Sequence, residues 1–174
     1  MKARLLATII AMAMLAGLTL AAAPASAATT TQVTNQVTNI PVTGTCENTV
    51  TGETGTFTGT LSITRFATQG NQLVAIGTLS GTCSAGGTLT NQQVTMPVRI
   101  AQASCQVLKL VLGPLHLEVL GLVVDLNRVV LTITAEPGGG ILGELLCALA
   151  RGGSLQTIVD LLNQILAILQ GLGL

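Results

Sequence analysis

Three ionisable side chains lie close together in the otherwise apolar segment LGPLHLEVLGLVVDL, residues 112–126. His116 is the only histidine of the chain, and Glu118 follows two residues later. Positions i and i+2 of a β-strand share a face, so this pair could hold a metal ion or relay a proton, with Asp125 approaching from the next strand. One histidine with two carboxylates is a small ligand set, however, and such residues are more often solvated on an outer face. We therefore predict no catalytic and no metal-binding residues.

Residues 138–143 match the dinucleotide-binding pattern G-x-G-x-x-G, and Asp160 lies about 20 residues further on, where a ribose-binding acid would be expected. That site needs parallel strands, whereas the preceding strands are predicted to be antiparallel and Asp160 falls inside a predicted helix. We interpret the glycines as a strand-to-helix corner and predict no cofactor. The sequence also lacks the G-x-S-x-G of hydrolases, and nothing distinguishes a catalytic pair among its carboxylates, so we expect no enzyme.

Residues 1–27 have the pattern of a cleaved signal peptide. Lys2 and Arg4 precede an apolar stretch over residues 5–23, Pro24 ends it, and Ala-Ser-Ala at 25–27 offers the small residues that signal peptidase requires. The alternative is an uncleaved anchor, because the stretch could nearly span a bilayer. We predict a secreted, extracellular protein with one mature domain over residues 28–174. Losing Lys2 and Arg4 changes the formal net charge from 0 to −2.

The composition of the mature part excludes some partners. Its weakly acidic and sparse charge offers no electrostatic attraction for nucleic acid or anionic lipid. Phe57 and Phe66 are the only aromatic residues, so bases and sugar rings lack a stacking platform. We predict no nucleic-acid partner.

The four cysteines, Cys46, Cys83, Cys105 and Cys147, all lie in the mature part. An even number of cysteines behind an export signal indicates two disulfides, and no pair has the short spacing of zinc ligands. Three connectivities are open. We favour Cys46–Cys83 and Cys105–Cys147, because each pair falls within one compositional half of the chain.

The first half, residues 28–104, is rich in Thr and Gly and predicts β-strands. TFTGTLSITRF (56–66) and QLVAIGTLSGT (72–82) alternate with period two around a turn at Gly70-Asn71, which is typical of a hairpin. Both arms carry the same Gly-Thr spacing. TNQVTNIPV (34–42) and TNQQVTMPV (90–98) also resemble each other, and we expect both to be strands with the proline at an edge or a bulge.

The second half, residues 105–174, is rich in leucine. Polar residues alternate with apolar ones over residues 105–135, with Gly113-Pro114, Gly121 and Asn127-Arg128 as interruptions, which predicts consecutive or bulged strands. A transmembrane span would have to place several charges in lipid at roughly 2.5–3.5 kcal/mol each, so we predict none in the mature chain.

Two helices are predicted to follow. The first covers residues 141–150 and carries Cys147 inward, and the second begins after Ser154 as N-cap, with Gly171 as a candidate for its end. The second helix has one apolar stripe and no basic residue opposite it, which favours a helix covering a sheet over a membrane-surface helix. The predicted fold is mainly β: an antiparallel sandwich or partly closed barrel with two C-terminal helices packed on it.

The segment from Cys105 to residue 150 contains LGPLHLEVLGLVVDL, then PGGGILGELLC. It resembles a recurrent signature of an uncharacterised family of small exported bacterial proteins, and the hairpin over residues 55–82 is similar to the segment that precedes that signature. The resemblance implies that Cys105 and Cys147 belong to one unit, and that Cys46–Cys83 is an added bridge where members carry one pair. It supplies no catalytic residues.

We expect from these patterns a non-enzymatic structural or interaction protein of the cell envelope or medium. The alternative is a carrier for a hydrophobic small molecule, because the aliphatic excess between residues 105 and 169 could line a cavity.

Overall fold

The computed structural model describes residues 30–136 and 140–174, and within them the chain forms nine strands and two helices. The predicted signal peptide, residues 1–27, lies outside the described residues. The strands are β1 (Thr31–Thr34), β2 (Ile40–Asn48), β3 (Glu53–Gln69), β4 (Gln72–Cys83), β5 (Thr88–Ala103), β6 (Val107–Leu112), β7 (Leu115–Val119), β8 (Leu122–Leu126) and β9 (Val129–Thr134). The helices are α1 (Gly140–Ala150) and α2 (Leu155–Gly171).

All the strands of the described residues join one hydrogen-bonded sheet in the order β1-β9-β6-β5-β4-β3-β2-β8-β7. Neighbours are antiparallel except β1 and β9, which are parallel. The sheet curls into a half-barrel with two helices packed on it, which confirms the predicted mainly-β class. The hairpin predicted around Gly70 and the four predicted period-two segments are observed as β3–β4 and β6–β9.

The disulfide Cys46–Cys83 shows that the sheet is curled, because it joins β2 to β4 across the intervening β3. Strands two places apart in a flat sheet lie about 9.5 Å from each other, whereas the two Cα atoms are 6.0 Å apart. Gly55 of β3 lies opposite Cys46, where a Cβ atom would come within 2.3 Å of the Ser84 hydroxyl. The sheet therefore folds inward at a position where only glycine fits.

Phe57 fills the inside of this curl and is fully buried. Its ring lies over Gly81 of β4, where a Cβ atom would approach the Phe57 Cζ atom to 2.5 Å. Gly81 itself pairs directly with Gly59 of β3. The shared Gly-Thr spacing of the two hairpin arms thus aligns glycines inside the curl, and they make room for the largest side chain of the core.

Helix α2 covers the open side of the half-barrel. The apolar stripe predicted for this helix faces the core: Val159, Leu162, Ile165, Leu166 and Leu169 are buried, whereas its other two members, Leu155 and Ile158, are half-buried against the core. Ser154 is the N-cap, because its hydroxyl accepts a hydrogen bond from the Thr157 N–H at 3.2 Å. The prediction that the helix ends before Gly171 is wrong: the helix includes Gly171, Leu172 is the C-cap, and the left-handed residue is Gly173 at φ +79°.

The second disulfide, Cys105–Cys147, ties the connection between β5 and β6 to α1. Both disulfides join the cysteine pairs favoured by the sequence, and two disulfides fit an oxidising environment. Neither helix within residues 30–136 and 140–174 has both the length and the apolar character required to cross a membrane.

The segment 34–42 differs from its prediction as a strand. β1 ends at Thr34 and β2 begins at Ile40, and the intervening loop holds Asn35 and Asn39 at φ +51° and +50°. The Asn35 side chain accepts a hydrogen bond from the Thr134 N–H at 2.7 Å, so the loop is fixed by a contact with β9. Asparagine tolerates the left-handed region better than other non-glycine residues.

Candidate functional site

The structure brings the three ionisable residues of the LGPLHLEVLGLVVDL segment together on the outer face of β7 and β8. His116 of β7 lies directly opposite Asp125 of β8, and Glu118 lies two positions along β7 on the same face. The β7–β8 hairpin turns through Leu120 and Gly121, both at positive φ, so the register follows from a two-residue loop. The predicted proximity of the three side chains is therefore observed.

Both ring nitrogens of His116 contact carboxylates. Nδ1 lies 2.5 Å from the Asp125 Oδ1 atom, and Nε2 lies 3.2 Å from the Glu118 Oε1 atom. The hydrogen bond with Asp125 is the main cause that raises the pKa of His116 above its ordinary value of 6.5, and the hydrogen bond with Glu118 adds to it. The side chains of His116, Glu118 and Asp125 are 57%, 72% and 58% exposed, so solvent screens the attraction.

This cluster is suited to holding two strands together. When its ring is protonated, His116 can donate a hydrogen bond from each nitrogen to a carboxylate, and the contact with Asp125 joins β7 to β8. In the described part of the chain, no three His, Cys, Asp or Glu side chains are arranged to hold a metal ion. The contact of His116 with Asp125 joins β7, the edge strand of the sheet, to β8.

The second candidate motif, G-x-G-x-x-G over residues 138–143, lies partly outside the described residues. From Gly140 onward its residues form the first turn of α1. Asp160 lies within α2, as predicted, and its carboxylate accepts a hydrogen bond from the Gln156 side chain at 3.0 Å. That contact joins two residues one turn apart on the exposed side of the helix.

A regular polar surface lies next to the histidine cluster, on the outer face of β2 to β5. We call it the hydroxyl face, and its members are Thr43, Thr45, Thr54, Thr56, Thr58, Thr60, Ser62, Thr78, Ser80, Thr82 and Thr88. Thr43, Thr58, Thr82 and Thr88 form one row across all four strands, because each pairs with the next in register. Neighbouring rows are about 6.7 Å apart along the strands, and members of a row about 4.8 Å apart.

A second row connects the hydroxyl face to the histidine cluster. Thr56 pairs with Thr45, Thr45 with Asp125, and Asp125 with His116, across β3, β2, β8 and β7. Thr56, Thr58 and Thr82 are exposed, and their side-chain hydroxyls make no hydrogen bond with another described residue. They are turned to solvent and available to a partner.

The inner side of the sheet is apolar and is occupied by the protein's own side chains. The aliphatic residues of β6, β8 and β9 form one buried cluster with the stripe of α2, and Leu108, Leu110 and Leu131 are fully buried. The aliphatic excess that suggested a carrier is thus used in packing the sheet against the helix.

Comparison of this chain with protein families, with curated proteins and with solved structures found no match.

The sequence patterns did not identify the hydroxyl face as a site. Its signal was the run of threonines at every second position of β3, together with the hairpin turn at Gly70, which aligns them with hydroxyl residues of β4. The alignment with β2 and β8 depends on pairings between distant segments, which a periodicity within one segment does not reveal.

Proposed function

We propose that the protein is a non-enzymatic interaction protein that is exported to the cell envelope or the medium and binds its partner through the hydroxyl face. The signal-peptide pattern of residues 1–27 and the two disulfides support export to an oxidising compartment. The in-register row of Thr43, Thr58, Thr82 and Thr88, in which Thr43 is half-buried and the other three are exposed, is the observation that carries the proposal.

The chemistry of the hydroxyl face suits an uncharged partner with repeated hydrogen-bonding groups. Each threonine hydroxyl can donate one hydrogen bond and accept others, and its methyl group adds a small apolar contact. Phe57 and Phe66 are both buried inside the sheet, so the face offers no aromatic ring for stacking. Binding would depend on many weak contacts repeated along the strands.

The test is co-sedimentation of the purified protein with insoluble envelope material of the producing cell. Thr58 lies at the centre of the row, and we expect Thr58→Lys to reduce the bound fraction severalfold, because a long charged side chain blocks the neighbouring hydroxyls. Thr68→Lys is the matched control, since Thr68 is an exposed residue near the β3–β4 turn, outside the hydroxyl face. Equal sedimentation of both variants and the parent protein would refute the proposed binding surface.

A further inference from the structure

A second polar feature lies on the outer face of the other half of the sheet, where β4, β5, β6 and β9 run side by side. Arg99 of β5 pairs with Val111 of β6, and Gln72 begins β4 two residues before Val74, which pairs with Pro97 of β5. Arg128 directly precedes β9, in which Val129 pairs with Leu112 of β6, and Arg128 lies next to Gly113. The strand registers therefore place two arginines on the same face, on either side of β6.

The two arginines line one cleft of about 280 Å³ that opens to solvent. Val111 and Gly113 are also part of its lining, and Gly113 contributes no side chain. Gly113 has φ +88°, a conformation that favours glycine, and a Cβ atom added there would lie 3.8 Å from the Arg128 Cα atom. The remaining lining residues are Gln72, Pro97 and Val98.

The cleft concentrates positive charge in a chain that has little of it. The cationic side chains of the described residues are Arg65, Arg99, Lys109, Arg128 and Arg151. Arg99 and Arg128 both line the cleft, and no acidic residue does. Neither guanidinium has a hydrogen-bond or ion-pair partner among the described residues. Within residues 30–136 and 140–174, no acidic side chain neutralises either arginine.

We propose that the cleft between Arg99 and Arg128 binds a phosphate group. Two guanidinium groups match the double negative charge of a phosphate monoester better than the single charge of a carboxylate, and each can bind two of its oxygens at once. The Gln72 amide can donate a further hydrogen bond, and the Pro97 and Val111 side chains can contact the carbon attached to a phosphate ester. The ligand is either a small soluble phosphate or the headgroup of a phosphate-bearing lipid.

The experiment titrates the full chain with inorganic phosphate and with glycerol phosphate at low ionic strength, by calorimetry and phosphorus NMR, with acetate as a monoanion for comparison. We expect saturable binding of the phosphates that weakens with added salt, and weaker binding of acetate. A parallel arm measures sedimentation with phosphatidylcholine vesicles that do or do not contain phosphatidic acid. Soluble binding alone identifies a small phosphate, and vesicle binding alone identifies a lipid headgroup.

Three variants decide whether the cleft is responsible. Arg128→Gln should weaken phosphate binding about tenfold, because it removes a charged hydrogen-bonding partner. Gln72→Glu should abolish binding without removing a cation, because Gln72 lines the same cleft as the two arginines and a carboxylate there would repel phosphate. Arg65→Gln is the matched control, since it removes the same charge from a residue outside the cleft lining.

Two results would overturn the proposal. One is an affinity loss for Arg65→Gln equal to that for Arg128→Gln, which would indicate attraction to net charge alone. The other is failure of the parent protein to bind either soluble phosphate or the phosphatidic acid vesicles. Circular dichroism of each variant verifies that the sheet is intact, and Gln72→Glu keeps the proposal testable because it substitutes an exposed residue with one of similar size.

Discussion

Asn163 of helix α2 should be a main determinant of stability, although it lies on no apolar stripe. β3 continues beyond the end of β2 and leaves one edge of its backbone without a strand partner. Asn163 covers this edge: its Oδ1 atom accepts a hydrogen bond from the Phe66 N–H at 2.7 Å, and its Nδ2 group donates to the Phe66 carbonyl at 3.0 Å. About two helical turns further along α2, the Gln170 side chain donates a hydrogen bond to the Ile63 carbonyl, also at 3.0 Å.

Asn163→Ala removes both hydrogen bonds to Phe66, a residue that is 4% exposed. A buried backbone group without a partner costs about 1–3 kcal/mol. Asn163 itself is half-buried, so water can reach part of the vacated space, and we expect a total loss of about 2 kcal/mol in the free energy of unfolding. For a chain of this length that lowers the melting temperature by about 4–8 °C.

The assay is urea unfolding of the disulfide-bonded protein, followed by circular dichroism, together with amide hydrogen exchange. Gln164→Ala is the matched control, because Gln164 is the exposed neighbour on the same helix and should change stability by about 0.5 kcal/mol or less. Exchange of the Phe66 amide should accelerate in Asn163→Ala and stay unchanged in Gln164→Ala. Asn163→Asp should lie between them, since it keeps an acceptor for the Phe66 N–H and loses the donor.

Equal destabilisation by Asn163→Ala and Gln164→Ala would refute this reasoning. It would mean that the apolar stripe of α2 alone holds the helix on the sheet, and that the polar contacts with β3 contribute nothing measurable.

Three further predictions concern single positions. The NMR titration midpoint of His116 should lie above 6.5 and should fall in Asp125→Asn, since Asp125 is the main cause of the raised pKa. Because the pKa of His116 is higher in the folded state than in the unfolded state, the contact stabilises the protein below about pH 6.5, and this stabilisation is lost as the pH rises through the folded-state pKa. A titration midpoint of His116 that does not change in Asp125→Asn would contradict the assignment to Asp125. In the same denaturation assay, Gly81→Ala should lower the free energy of unfolding by about 2 kcal/mol, because its added Cβ atom would overlap the Phe57 ring. Gly171→Ala should leave that free energy unchanged or raise it by about 0.5–1 kcal/mol, because its added Cβ atom has no neighbour within 4 Å. Leu120 has φ +54° and is 91% exposed. Leu120→Asn should therefore raise the melting temperature, because asparagine relieves backbone strain of about 1 kcal/mol without loss of packing. A lower melting temperature would show that Leu120 makes a stabilising contact.

Local periodicity predicted the elements of this fold because each strand has one buried face. Residues 105–135 alternate strictly enough to reveal β6 to β9, and the apolar stripe of α2 predicted the side of the helix that faces the core. The path of the sheet was not predictable in the same way. The turn at Asn35 depends on Thr134, 99 residues away, and no pattern within either segment indicates that contact. The contact of Asn163 with Phe66 and the placement of Arg99 and Arg128 around one cleft likewise depend on pairings between distant segments.

The alternation of glycine and threonine in β3 and β4 determines both the curvature of the sheet and its outer surface. Gly59 faces Gly81 on the inside, and Thr58 faces Thr82 on the outside. A slip of one residue would move threonine side chains into the space beside Phe57 and turn glycines outward, so the core fixes the register of the hydroxyl face. Substitutions at the two kinds of position should therefore have separate effects. Gly81→Ala should reduce stability, whereas Thr58→Lys should leave stability nearly unchanged and affect binding at the hydroxyl face.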